Sequence, residues 1–220
     1  MNIFTLDLLG IVAALLLGLA VLFLGGVTGP YFLFALLLFL VLSAFVTELG
    51  KRFKQSIGDY EKFRGWRNVV ANGTVALAVA LLYLLNTSMH FTSVSLLIVV
   101  YVSSISAITA DKFAHEIGVL DGTPTMLLNM KKVAKGTSGA VTVVGTAASL
   151  LGSAIIALSL LLIYSSWAYV AIAAISGFFG SVIDTVLGYF EEQGIGNKHT
   201  SNFGCALSGA LLALLLMLLL

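Results

Sequence analysis

The chain has 220 residues, 60% of them hydrophobic and only 10% charged, with a formal net charge of +1 and two prolines. Its mean hydropathy of +1.09 exceeds what a soluble core needs, so the composition excludes a water-soluble globular domain and indicates an integral membrane protein with no nucleic-acid partner. The single cysteine, Cys205, stands inside an apolar run, which excludes a disulfide and makes packing its expected role.

A hydrocarbon layer of about 30 Å is crossed by roughly 20 apolar helical residues. Suitable runs occur near 4–24, 30–48, 69–86, 91–110, 140–163, 166–187 and 203–220, which predicts an all-α, polytopic transmembrane helix bundle of about seven spans in a single integral membrane domain, 1–220. A β-barrel is excluded because the runs lack alternation of apolar and polar residues. The first run is expected to be retained as a helix: no Lys or Arg precedes it and no small-x-small site follows a short apolar core.

The eleven Lys and Arg fall in the connections after spans two, four and six. With seven spans these connections share one side, and the bias of positive charge in short loops predicts that this side is cytoplasmic, with the N-terminus inside. The acids follow the same distribution. Apart from Asp7 and Glu48, every one lies in or beside those connections, so any chemistry is expected at the cytoplasmic face.

In chain order, the third span opens with GDYEKFRGWRNVVANG, in which Arg64, Asn68 and Asn72 recur at i, i+4 and i+8, with Arg67 beside them. Tyr60 and Trp66 read as interfacial anchors, and the amides read as interhelical hydrogen-bonding groups or as ligands. The fourth span ends in TADKFAHEIG. A continuing helix puts Ser104, Ala107, Asp111 and His115 on one face, whereas Glu116 lies about 140° round from Asp111 and pairs naturally with Lys112 at i, i+4. Asp111 is therefore the stronger functional candidate.

The fifth span opens with KGTSGAVTVVGTAASLLG. Gly136, Thr137, Ser138 and Gly139 read as a flexible helix start whose free N–H groups, with Lys135 alongside, suit a phosphate, though no Walker pattern is present. In the sixth span Gly177, Gly180, Ser181, Asp184 and Gly188 form one stripe; small residues mark the face on which membrane helices meet, so Asp184 is expected to point into the bundle. An ionisable group there requires a partner or a ligand. A structural pair with Arg67 or Lys135 is one solution and metal or ligand binding the other.

Together with an Asn-bearing last span, GDYEKFRGWRNVVANG, TADKFAHEIG, KGTSGAVTVVGTAASLLG and SVIDTVLGYFEEQ, in this order over about residues 56–210, resemble the integral membrane family that includes the plant phytyl-phosphate kinase and its archaeal and animal relatives. The family usually has small hydroxylated residues where Lys112 and His115 stand, and a last motif richer in Asn than NKHTSNFG. The resemblance implies a Mg²⁺-dependent kinase that transfers a phosphoryl group from a nucleoside triphosphate, CTP in the plant enzyme, to an isoprenoid monophosphate embedded in membrane lipid. On that reading Asp111 and Asp184 would hold Mg²⁺, with Glu116 as a third ligand, and Arg67 and Lys135 would neutralise phosphate. Gly136, Thr137, Ser138, Gly139 and Thr142 would line the nucleotide, and Asn68, Asn72 and Asn202 would orient ligands. A cytidylyltransferase forming a CDP-lipid would need the same residue types, and a transporter of a lipid-like anion would also hold buried carboxylates, though usually near the bilayer midplane.

Overall fold

The computed structural model describes residues 6–60 and 65–220. Arg64, the first member of the polar stripe read from the sequence, lies outside them. The described chain is a helical bundle with α1 (Leu8–Leu24), α2 (Gly29–Glu48), α3 (Lys51–Ser56), α4 (Trp66–Met89), α5 (Val94–Gly118), α6 (Val143–Leu158), α7 (Trp167–Glu191) and α8 (Lys198–Leu218). A two-residue ribbon, β1 (Thr125–Met126) against β2 (Ala140–Val141), closes the connection between α5 and α6. The all-α polytopic membrane fold expected from composition is the one observed. Among the described residues six helices are long and apolar enough to cross a membrane, and α1 is a shorter apolar helix of 17 residues, at the lower limit for a span.

Five of the helix starts described, those of α1, α5, α6, α7 and α8, are capped by a side chain. Asp7 caps α1 by accepting from the Gly10 amide at 2.6 Å, Ser93 accepts from Leu96 before α5, and Thr142 accepts from Gly145 before α6. Asn197 and Thr200 form a reciprocal capping box, so α8 begins at Lys198 and not near 203 as its apolar run alone suggests. Likewise α5 continues to Gly118, past the last apolar residue of its run.

One expectation is corrected here. Gly136–Gly139 is not a helix start: it is loop, and α6 begins at Val143. Gly136 and Gly139 have φ of +84° and +78°, the left-handed region where a side chain is strained, and a Cβ on Gly139 would strike the backbone of Gly188 and Tyr189. The chain is bent there so that its backbone can lie against α7.

Helix α5 is the centre of the bundle. Of its most apolar stretch 83% is buried, against 50% or less for the other candidate spans. Small residues let its neighbours approach: a Cβ on Gly177 of α7 would sit 2.5 Å from Ser106 Cβ, and one on Gly180 would sit 2.6 Å from Ala107 Cβ. On the other side Tyr101 stacks on Phe32 at 4.0 Å and donates its hydroxyl to the Phe32 carbonyl at 2.9 Å, fastening α2 to α5. The short α3 is pinned through Lys54, whose side chain is fully buried.

Candidate functional site

The α5–α7 contact sets the site. Both helices run toward the same end of the bundle, Ala107 meets Gly180 there, and one turn further on each helix stand Asp111 and Asp184. Their carboxyl groups come within hydrogen-bonding reach of one another. Both line a cavity of about 290 Å³ at the bundle end, enclosed by the C-terminal turns of α5 and α7, the N-terminal turns of α6 and α8, and the loop 136–139.

This cavity gathers unsatisfied polar atoms. Asp184 Oδ1, Asp59 Oδ2 and Ser149 Oγ are buried without a hydrogen-bond partner, and all three residues line it. Such atoms are costly unless something meets them. The donor set is all oxygen, with two carboxylates side by side, which fits a hard cation that takes its remaining ligands from water and a bound anion. Among the described residues no group of three or more His, Cys, Asp or Glu is arranged to hold an ion by itself. A cation here would therefore depend on a co-ligand.

The residues read from the sequence divide into two sets. Asp111, Asp184, Gly136, Thr137, Ser138, Gly139, Thr142 and Asn202 line the cavity. The loop's backbone is less available than a helix start would be: the Ser138 amide donates to Glu192 Oε1 at 2.9 Å, and the Thr137 hydroxyl donates to the Ala134 carbonyl at 2.8 Å.

Arg67, Lys135, Asn68, Asn72 and Glu116 are elsewhere. Arg67 lies over the Trp66 ring at 5.6 Å and Lys135 over the Phe53 ring at 4.7 Å. Glu116 is buried between lysines: its Oε2 accepts from Lys54 Nζ at 2.6 Å, its Oε1 accepts from the Thr47 hydroxyl at 2.9 Å, and it pairs with Lys112. It faces away from Asp111 because α5 stays regular between them.

The amides form a ladder. Asn202 on the cavity wall donates to Asn68 Oδ1 at 3.3 Å, and Asn72 donates to the same oxygen at 3.0 Å. Asn68 and Asn72 in turn border a second space, an apolar groove of about 90 Å³ between α1, α2 and α4 lined by Leu17, Leu33, Leu37 and Phe39 among others. The ladder thus separates a polar chamber from an apolar one.

Cavity residues that the sequence alone does not assign to the site include Asp59, Ser149, Glu191, Lys198 and Ser201, and also His115, which it places on the Asp111 face. His115 shares the Asp111 face at i+4, a signal that was available. Asp59 follows α3 by three residues, and only the folding of that connection over the bundle brings it in. Its carboxyl is held above the usual carboxylate range by burial, against the pull of Lys198.

Comparison with known sequences agrees with this architecture. An uncharacterized membrane protein of Methanocaldococcus jannaschii is 30% identical over 213 residues, covering 96% of this chain and 85% of that relative. No solved structure matches the chain. Residues 3–214 match the family described as Integral membrane protein DUF92. The chain is a multi-pass membrane protein and belongs to the integral membrane protein DUF92 family.

Proposed function

We propose that the protein is a Mg²⁺-dependent phosphotransferase of the cell membrane, which passes the terminal phosphoryl group of a nucleoside triphosphate, with CTP favoured, to an isoprenoid monophosphate at the cytoplasmic face. The observation that carries this reading is the juxtaposition of Asp111 and Asp184, with the unpartnered Asp184 Oδ1, in a cavity of mixed polar and apolar lining at one end of an apolar bundle. Phosphoryl transfer asks a protein for positioning and neutralisation of charge more than for covalent chemistry. The amide ladder adds support, because a substrate with a phosphate head and a hydrocarbon tail needs a polar chamber beside an apolar groove.

In the reaction an oxygen of the acceptor phosphate forms a bond to the γ phosphorus, the bond to the β–γ bridging oxygen breaks, and the nucleoside diphosphate leaves with that electron pair. Mg²⁺ bound by Asp111 and Asp184 would neutralise the phosphate oxygens. Asn202, fixed through Asn68, orients the head group, while the wall of α5, α6 and α7 limits water access. The test is incubation of purified protein with γ-labelled and α-labelled CTP and a set of isoprenoid monophosphates. Transfer of the γ label into an isoprenoid diphosphate is expected. Transfer of the α label with release of pyrophosphate would replace the kinase with a cytidylyltransferase, and no transfer of either would remove the enzyme reading in favour of an anion carrier.

A further inference from the structure

We propose that Lys198 and His115 are the cationic groups that hold the anionic head of the ligand, and that Asp59 orients His115 for this. The proposal rests on the phosphotransferase reading and changes which cations serve it. A phosphate group brings a charge of about −1.5 to −2 near neutral pH, and here it would enter a chamber whose wall already carries Asp59, Asp111, Asp184 and Glu191. A cation between Asp111 and Asp184 is largely offset by those two carboxylates, so the ligand needs positive charge from elsewhere. Lys198 and His115 are the basic residues on the cavity wall among the described residues. Arg67 and Lys135 are turned onto aromatic rings outside it.

The backbone fixes both groups. Lys198 is the first residue of α8, held by the Asn197–Thr200 capping box, and Ser201 and Asn202 share its face at i+3 and i+4. It shares the cavity wall with Asp184 and Asp59. His115 stands one turn beyond Asp111 on α5, with Nε2 3.6 Å from Asp59 Oδ2. That oxygen is buried and has no hydrogen bond among the described residues, and the imidazole is placed to pair with it when protonated. Asp59 is anchored by its own amide, which donates to the Lys54 carbonyl at 2.9 Å. Gly136 makes room for it: a Cβ there would lie 2.8 Å from Asp59 Oδ1. Gly136 thus accommodates the carboxylate in addition to its left-handed turn.

The experiment uses full-length protein in nanodiscs and reads thermal protection by Mg²⁺ with inorganic pyrophosphate as the probe. Wild type is expected to be protected. Lys198→Ala and His115→Gln should each weaken the apparent affinity about tenfold to a hundredfold, the loss of one charge-assisted contact, and Lys198→Arg should restore most of it. Lys198 is exposed, so its substitution leaves the fold intact. Lys132→Ala, on the exposed connection outside the cavity, should change nothing. Asp59→Asn should weaken binding, and the double variant with His115→Gln should be no weaker than His115→Gln alone, because Asp59 acts through the imidazole. Additive losses overturn the orienting role. Losses in Arg67→Ala or Lys135→Ala with none in Lys198→Ala and His115→Gln overturn the proposal and leave the phosphotransferase standing. Failure of pyrophosphate, with Mg²⁺ at millimolar concentration, to protect wild type defeats both.

Discussion

Lys54 Nζ lies 2.6 Å from Glu116 Oε2, and the Lys54 side chain is wholly shielded from solvent. The same ammonium also donates to the carbonyls of Val46 and Thr47 at the end of α2, at 3.2 and 2.7 Å. One buried cation therefore ties α2, α3 and α5 together. Removing one partner of such a pair leaves a stranded charge, which costs about 3–5 kcal/mol, whereas replacing both by apolar groups is often neutral. Lys54→Met is expected to lower the thermal midpoint sharply, and Lys54→Met with Glu116→Leu to recover part of it. If Lys54→Met is silent, the pair does not hold the fold.

Asp111 and Asp184 call for a different outcome. Each carboxylate repels the other where they meet, so Asp111→Asn and Asp184→Asn should leave insertion intact and should not destabilise the unliganded protein. Each should abolish Mg²⁺-dependent turnover and thermal protection by Mg²⁺ with nucleotide. Near-normal turnover in either variant removes that residue from the site.

Topology can be checked with single cysteines at Gln55, Asn129 and Lys198 in a Cys205→Ser background. An impermeant thiol reagent added outside intact cells should label none of them and should label a cysteine at Ser88. Labelling at Asn129 would separate the α5–α6 connection from the other basic connections and break the shared cytoplasmic face.

Asp59 gives a pH dependence whose sign is fixed. Burial raises its folded-state pKa, with Lys198 opposing and Glu116 adding to the shift. The folded protein then holds this proton to higher pH than the unfolded chain does, so its contribution to stability is fully present below about pH 4 and declines as pH rises through the folded value. Asp59→Asn has no proton to lose. Melting curves should show the variant gaining on wild type as pH rises above about 4, even while it binds pyrophosphate less well; a variant that falls behind wild type with rising pH contradicts this account.

Much of the fold was legible in the residues. Each of the seven apolar runs became a helix, because in lipid the backbone has no other partner than itself, and the Gly177–Gly180 stripe became the contact that places Asp184 against Asp111. The helix starts at Val143 and Lys198 were misjudged, since capping by Thr142 and Asn197 overrides apolar content. Arg67 and Lys135 looked suited to phosphate on charge alone. Their side chains are aimed by Trp66 and Phe53, a choice that depends on tertiary packing, and the approach of Asp59 to His115 spans a connection no helical period describes.

The burial of α5 bears on how the protein is made. Ser103, Ser104 and Thr109 donate to the carbonyls of Val99, Tyr101 and Ile105 in their own helix, at 2.7–2.8 Å. A helix that satisfies these three hydroxyls within itself, leaving Ser106 Oγ without a partner among the described residues, can enter the bilayer as it leaves the insertion machinery, before α6, α7 and α8 exist to cover it. Asp111, at its cytoplasmic end on the orientation proposed here, can wait in the interface with water. The central helix can thus be laid down first and wrapped afterwards, and a chain stopped after Gly118 is expected to insert while leaving the small face around Ser106 and Ala107 open to lipid, a natural mark for membrane quality control.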